Sequence, residues 1–172
     1  MHRSHRVVVV CHCILNANAK IHPLARTEGA YREVVGPCLE NGEGLVQLPC
    51  PELTYLGMKR WGMTKEQYDV PAFRAHCRGL LSPVLDQLRL LVEDGCVIAR
   101  VIGMDGSPNC GVTTTCTGYT GGEIASNTDL SAQVTNLAMV DGMGVFFEEL
   151  RAMMADAGIV PAFEAVKELD ED

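Results

Sequence analysis

Short apolar runs alternate along this chain with longer segments of helical spacing. Residues 7–10 are an unbroken run of valines, which suits a strand covered on both faces of a parallel sheet. Residues 45–48 and 96–102 read as a second and third strand, and 159–163 as a short fourth that Pro161 places at an edge. The segment 24–39, with Ala25, Ala30, Tyr31, Val34 and Val35, predicts a helix that Gly36-Pro37 interrupts or ends. Phe73, Cys77, Leu80, Leu81, Val84, Leu85, Leu88, Leu91 and Val92 predict a helix that begins at an Asp69 N-cap with Pro71 in its first turn. It ends at Gly95 and is kinked or split by Pro83. A last helix covers 144–157, with Val145, Phe146, Leu150, Met153 and Met154 on its buried side. The stretch after Glu52 reads as irregular or partly ordered by contacts, and 111–122, rich in Thr and Gly, as a long loop of the kind that often carries function. Strands alternating with helices predict an α/β fold, a three-layer αβα sandwich with a mostly parallel, Rossmann-like sheet of about four strands. The expected organisation is one domain over 1–172 with a solvated acidic tail at about 168–172.

The cysteines add chemistry to this frame. The first strand runs into Cys11-His12-Cys13, the second into Pro49-Cys50-Pro51-Glu52, and the third into a Gly-rich turn, Gly106-Ser107-Pro108-Asn109-Cys110-Gly111. In a parallel α/β sheet the strands end on one edge and ligands bind beyond it. Cys13, Cys50 and Cys110 are therefore expected to converge. Cys11, two residues from Cys13, would share its face on a strand and is a spare ligand or a packed neighbour. Cys96 begins its strand and belongs ~20 Å from the site. Cys96, together with Cys38 and Cys77 in helices, is assigned to packing. Cys116 lies in the long loop and has no assigned role.

Composition narrows the partners. The formal charge of the 172 residues is −8, which argues against nucleic acid or an anionic membrane surface. No apolar run approaches the ~18 residues of a membrane span. The run at 7–10 is too short for a signal peptide, so a cytoplasmic protein, monomer or homodimer, is expected. In that compartment eight cysteines point to metal ligation, an iron–sulfur cluster or thiol chemistry rather than structural disulfides. Three thiolates at one site suit zinc with a water, or a [4Fe–4S] cluster with one open iron, and spacing alone leaves the choice open. No C-x-x-C pair and no dinucleotide fingerprint occur. Glu52 and Ser107 flank the same site and are the candidate catalytic pair, the carboxylate for proton transfer or water activation and the hydroxyl as proton relay or substrate contact. Either could instead cap a turn. His12 and His22 are read as structural.

The segments Cys13-Ile-Leu-Asn16, Leu48-Pro-Cys-Pro-Glu52, Gly106-Ser-Pro-Asn-Cys-Gly111 and Gly142-Met-Gly-Val-Phe146, in that order, resemble the thiouracil desulfidase (TudS-like) family, most of all its TudS-related desulfidase branch. The resemblance spans nearly the whole chain. It implies a [4Fe–4S] cluster on Cys13, Cys50 and Cys110, with an open iron that accepts sulfur from a thiocarbonyl. It also implies roles for Glu52 and Ser107 in removing sulfur from a thiolated nucleobase or similar small heterocycle, with release of hydrosulfide. The sequence departs from better-known members at Ala19, where they carry a further cysteine, at the Cys11-His12 lead-in, and at Asn109, where serine is usual. A non-catalytic iron–sulfur or zinc sulfur carrier or sensor is the alternative. Tyr119 and the Trp61 segment are candidates for a lid over a flat ring.

Overall fold

Strand β1 (Arg6–Val10) lies inside the sheet, and its valines are buried on both faces as an all-β-branched run requires. A computed structural model describes residues 2–167 around it; the acidic tail at 168–172 lies outside the described residues. Strands β2 (Gly44–Gln47), β3 (Val97–Met104) and β6 (Ala162–Val166) complete a four-stranded, all-parallel sheet in the order β2-β1-β3-β6. Helices flank this sheet in a three-layer α/β arrangement, as the alternating pattern predicts. The edge strand expected at 159–163 begins after Pro161 instead, because proline has no N–H for the ladder to β3.

The helices depart from the sequence reading in instructive ways. The region 24–31 is not helical. It is drawn out instead by backbone bonds from Ala17 N to Gly29 O and from Tyr31 N to Ile14 O. Helix α2 (Arg32–Glu40) follows and carries Pro37 inside it. Pro37 costs α2 the intrahelical bond to the Glu33 carbonyl, and the helix continues past it to Glu40. The stretch after Glu52 holds two short helices, α3 (Pro51–Leu56) and α4 (Lys65–Tyr68), with the irregular segment 57–64 between them. Pro51 stands at N1 of α3, where its missing N–H costs nothing. Thr64 and Gln67 form a capping box that starts α4. Helix α5 (Pro71–Glu93) is continuous through Pro83 and starts from Val70, because Asp69 is taken by the Arg74 guanidinium at 2.6 Å. It packs beside α7 (Val145–Asp156), and Phe73 and Cys77 of the one and Phe146 and Leu150 of the other belong to the same buried core.

The Thr-rich stretch read as a loop contains strand β4 (Thr114–Thr117), antiparallel to β5 (Ala138–Asp141), with a small helix α6 (Leu130–Thr135) in the excursion between them. Asp105 anchors its approach by accepting the N–H groups of Val112, Thr113 and Thr114. At the amino edge of the sheet Glu43, almost wholly buried, takes both terminal nitrogens of Arg100 at 2.8 and 3.0 Å and one of Arg6 at 3.4 Å. The Arg100 guanidinium holds the Glu43 carboxyl below the usual carboxylate range. Cys96 lies at this same edge, 3.9 Å from His5, and Cys38 and Cys77 are buried in α2 and α5, as expected of packing residues.

Candidate functional site

The sheet's hydrogen-bond ladder extends just past β1, with Leu48 N on Val10 O at 2.8 Å and Cys11 N on Ile102 O at 2.9 Å. Beyond that carboxyl edge the chain turns away three times, and each turn carries a cysteine. Cys11 is not a strand residue. It is the N-cap of α1 (His12–Leu15), with extended backbone, and Cys13 lies in the first turn of that helix. Helix geometry therefore sets their proximity, with sulfurs 3.6 Å apart. Cys50 is the N-cap of α3, and its Sγ accepts the Leu53 N–H at 3.4 Å. Cys110 closes the turn after β3, where its carbonyl accepts Met104 N at 2.8 Å. Gly103 is required at this closure, because a Cβ there would stand 2.3 Å from the Cys110 carbonyl oxygen. Gly144 permits a similar approach, since its Cβ would lie 2.4 Å from the Asn109 carbonyl carbon.

Cys13, Cys50 and Cys110 line one open cavity of about 770 Å³, together with Glu52 and Ser107. Cys11 lies buried behind them, hydrogen-bonded to both Cys13 and Cys110. The bond with Cys110 raises the Cys11 thiol well above its ordinary value, and burial adds to that. Burial raises Cys50. At Cys110 the bond from Cys11 favours the thiolate, but burial and the neighbouring Cys13, Cys50 and Glu52 outweigh it and set the group at about 11. Burial and mutual crowding thus favour the protonated thiols at Cys11, Cys50 and Cys110, with Arg60 pulling Cys50 the other way. A centre that takes thiolates must release those protons on binding. Among the described residues no three His, Cys, Asp or Glu side chains stand together as a single metal ion would need. A four-iron cluster asks for a different arrangement, one cysteine on each of several separate irons. The all-sulfur donor set, carried by separate loops around one cavity, fits that group.

Glu52 is held more tightly than the sequence suggests. Its Oε2 accepts Arg60 Nε at 3.1 Å and its Oε1 accepts Asn109 Nδ2 at 3.0 Å. Arg60 also donates to the carbonyls of Gly57 at 3.1 Å and Ala19 at 2.7 Å. Ser107 accepts the N–H groups of Asn109 and Cys110 at 3.3 and 3.0 Å, so it caps the turn that presents Cys110. With both lone pairs engaged, its hydroxyl hydrogen remains a donor. The Tyr68 hydroxyl and Asn109 Oδ1 are buried without a hydrogen-bond partner, and Tyr68 neighbours Glu52 electrostatically. His12 lines the cavity, with Nδ1 3.3 Å from the Leu48 carbonyl, and His22 is exposed. Cys116 on β4 lines the wall, donating to the Met63 carbonyl at 3.7 Å. Burial raises its thiol to about 11. Arg60 and Asn109 are the site residues that sequence reasoning missed as partners of Glu52. Trp61 and Tyr119, the expected lid residues, do line the cavity.

Fold and cavity together define an α/β protein with a cysteine floor at the carboxyl edge of a parallel sheet. The chain is 42% identical over 110 residues, 64% of its length and 70% of the relative's, to the uncharacterized protein MJ0003 of Methanocaldococcus jannaschii, and it belongs to that protein's family. No family model matches the sequence. A solved structure of a [4Fe–4S]-dependent thiouracil desulfidase, TudS, is similar over 93% of this chain and 90% of its own, at 18% identity and a TM-score of 0.45.

Proposed function

We propose that this protein is a [4Fe–4S]-dependent desulfidase that replaces the sulfur of a small thiocarbonyl compound with oxygen. The observation that carries the reading is the delivery of Cys13, Cys50 and Cys110 by separate strand ends to a cavity that also holds Glu52 and Ser107. Those cysteines would hold the cluster, and its open iron would supply a Lewis-acid, sulfur-accepting position.

The chain's own residues account for the rest. Arg60 and Asn109 fix the Glu52 carboxylate, and each of its oxygens keeps a lone pair for a cavity water. Glu52 takes a proton as that water adds to the thiocarbonyl carbon. Ser107, with its hydrogen still to donate, binds the substrate's ring heteroatom or returns a proton to it. In the balance one water enters, carbon–oxygen bonds replace carbon–sulfur bonds, and sulfur leaves as hydrosulfide without net oxidation or reduction. The cytoplasm is the proposed location, and one domain is the proposed unit.

Anaerobic purification followed by iron, zinc and sulfide analysis tests the cofactor. The expected result is iron with matching sulfide and broad visible absorbance, lost in Cys50→Ser. Stoichiometric zinc without iron refutes it. Sulfide release from a thiopyrimidine panel, abolished in Glu52→Ala with the absorbance retained, tests the enzyme. Unchanged turnover in that variant refutes the role given to Glu52.

A further inference from the structure

Besides its sulfur, carboxylate and hydroxyl groups, the cavity is lined by Leu24, Trp61, Ile124, Val134, Leu137 and Met139, which make up its apolar wall. All of these wall residues are solvent-exposed large hydrophobics, and Trp61 is 79% exposed. Exposed apolar side chains gathered around one cavity, rather than scattered singly, mark a binding surface. The wall is also too large for a bare pyrimidine. Even at the ~30 Å³ a free water occupies in the liquid, an upper bound for covalently bonded atoms, the roughly eight heavy atoms of thiouracil fill at most about 240 Å³. That is under a third of the 770 Å³ present.

Building on the desulfidase reading, we infer that the substrate carries an apolar body beyond its thiocarbonyl ring, and that the Leu24–Trp61–Val134 wall selects for it. The ring end meets the thiols, Glu52 and Ser107; the substituent lies along the wall. The carbonyl product keeps that body, so affinity for it is separable from sulfur chemistry.

Trp61 is the chain's single tryptophan, so intrinsic emission reports the wall directly. Uracil and 6-propyluracil, which carry no sulfur, are titrated against the anaerobically purified protein, and 2-thiouracil and 6-propyl-2-thiouracil are assayed beside them for sulfide release. Full burial of about three added carbons at ~0.8 kcal/mol each gives about 50-fold tighter binding, and an open wall gives roughly tenfold. Trp61 emission should shift to the blue with 6-propyluracil. Val134→Asp, an exposed change on α6, should erase the propyl advantage, so that 6-propyluracil loses far more affinity than uracil. A propyl effect under about twofold, or an equal loss for both ligands in Val134→Asp, overturns the inference even if thiouracil releases sulfide. Tighter 6-propyluracil binding without sulfide release from either thiouracil upholds the wall as a site for an apolar substituent and refutes the thiouracil ring as the group the floor acts on. A concentration-dependent dimer that shields Trp61 from quencher and ignores both ligands assigns the wall to a second copy and overturns it.

Discussion

Removing the Arg60 guanidinium is the sharpest test of how the Glu52 carboxylate is held. In Arg60→Met the alkyl body stays and the charge goes. The Arg60 side chain is 3% exposed and Glu52 15%, so their 3.1 Å pair lies largely out of water. Breaking a buried pair from one side strands the other charge, at about 3–5 kcal/mol. The carbonyls of Ala19 and Gly57 lose a charged donor as well, although cavity water can replace part of that. A loss of about 3–5 kcal/mol is expected, or roughly 6–20 °C in Tm at this chain length. Arg3→Met supplies the control. Arg3 meets Asp94 at 3.0 Å, but the two side chains are 78% and 56% exposed, and such a pair is worth under ~1 kcal/mol. Thermal and urea unfolding of both variants should separate them clearly. Adding Glu52→Gln to Arg60→Met should recover part of the loss, since no charge is then stranded. If Arg60→Met costs no more than Arg3→Met, the carboxylate is not held in the way described.

Gly144→Ala should lower stability by ~3 kcal/mol or more, because its Cβ would stand 2.4 Å from backbone at Asn109. Gly158→Ala should cost only ~1–2 kcal/mol, since φ is +72° there and no atom lies within 4 Å of the new methyl; differential scanning of the pair checks this. Glu43→Gln should narrow the stability gap to wild type as pH falls. The Arg100 guanidinium lowers the folded Glu43 carboxyl from 4.5, so its stabilisation is complete above about that pH and disappears as pH drops through the lower folded value. Tm measured from pH 7 to 3 tests it, and a gap that widens in acid refutes it.

The sheet was legible because its signals are local. The valine run of β1, the Gly95 stop of α5 and the turn at Gly106 each act within a few residues. Convergence of Cys13, Cys50 and Cys110 on one cavity follows from parallel topology, so it could be argued before any coordinates. The Glu52–Arg60 pair could not. It depends on α3 ending at Gly57 and the chain folding back against Ala19, a tertiary arrangement with no periodic trace. The β4–β5 pairing hid for a similar reason. Its partners lie in different parts of the chain, and all four residues of β5 are exposed, so neither a buried face nor a turn signals it. Cys11 was misplaced by a single residue of strand, which was enough to change why its sulfur meets that of Cys13.

The β4–β5 ribbon leaves the rest of the fold at Thr117 and returns at Ala138, residues paired directly across from one another. Everything between them is thus a graft with adjacent ends. Descendants of this chain can lengthen, shorten or exchange that graft while the sulfur-bearing turns keep their register, so a lineage could acquire new specificities without rebuilding its reactive centre.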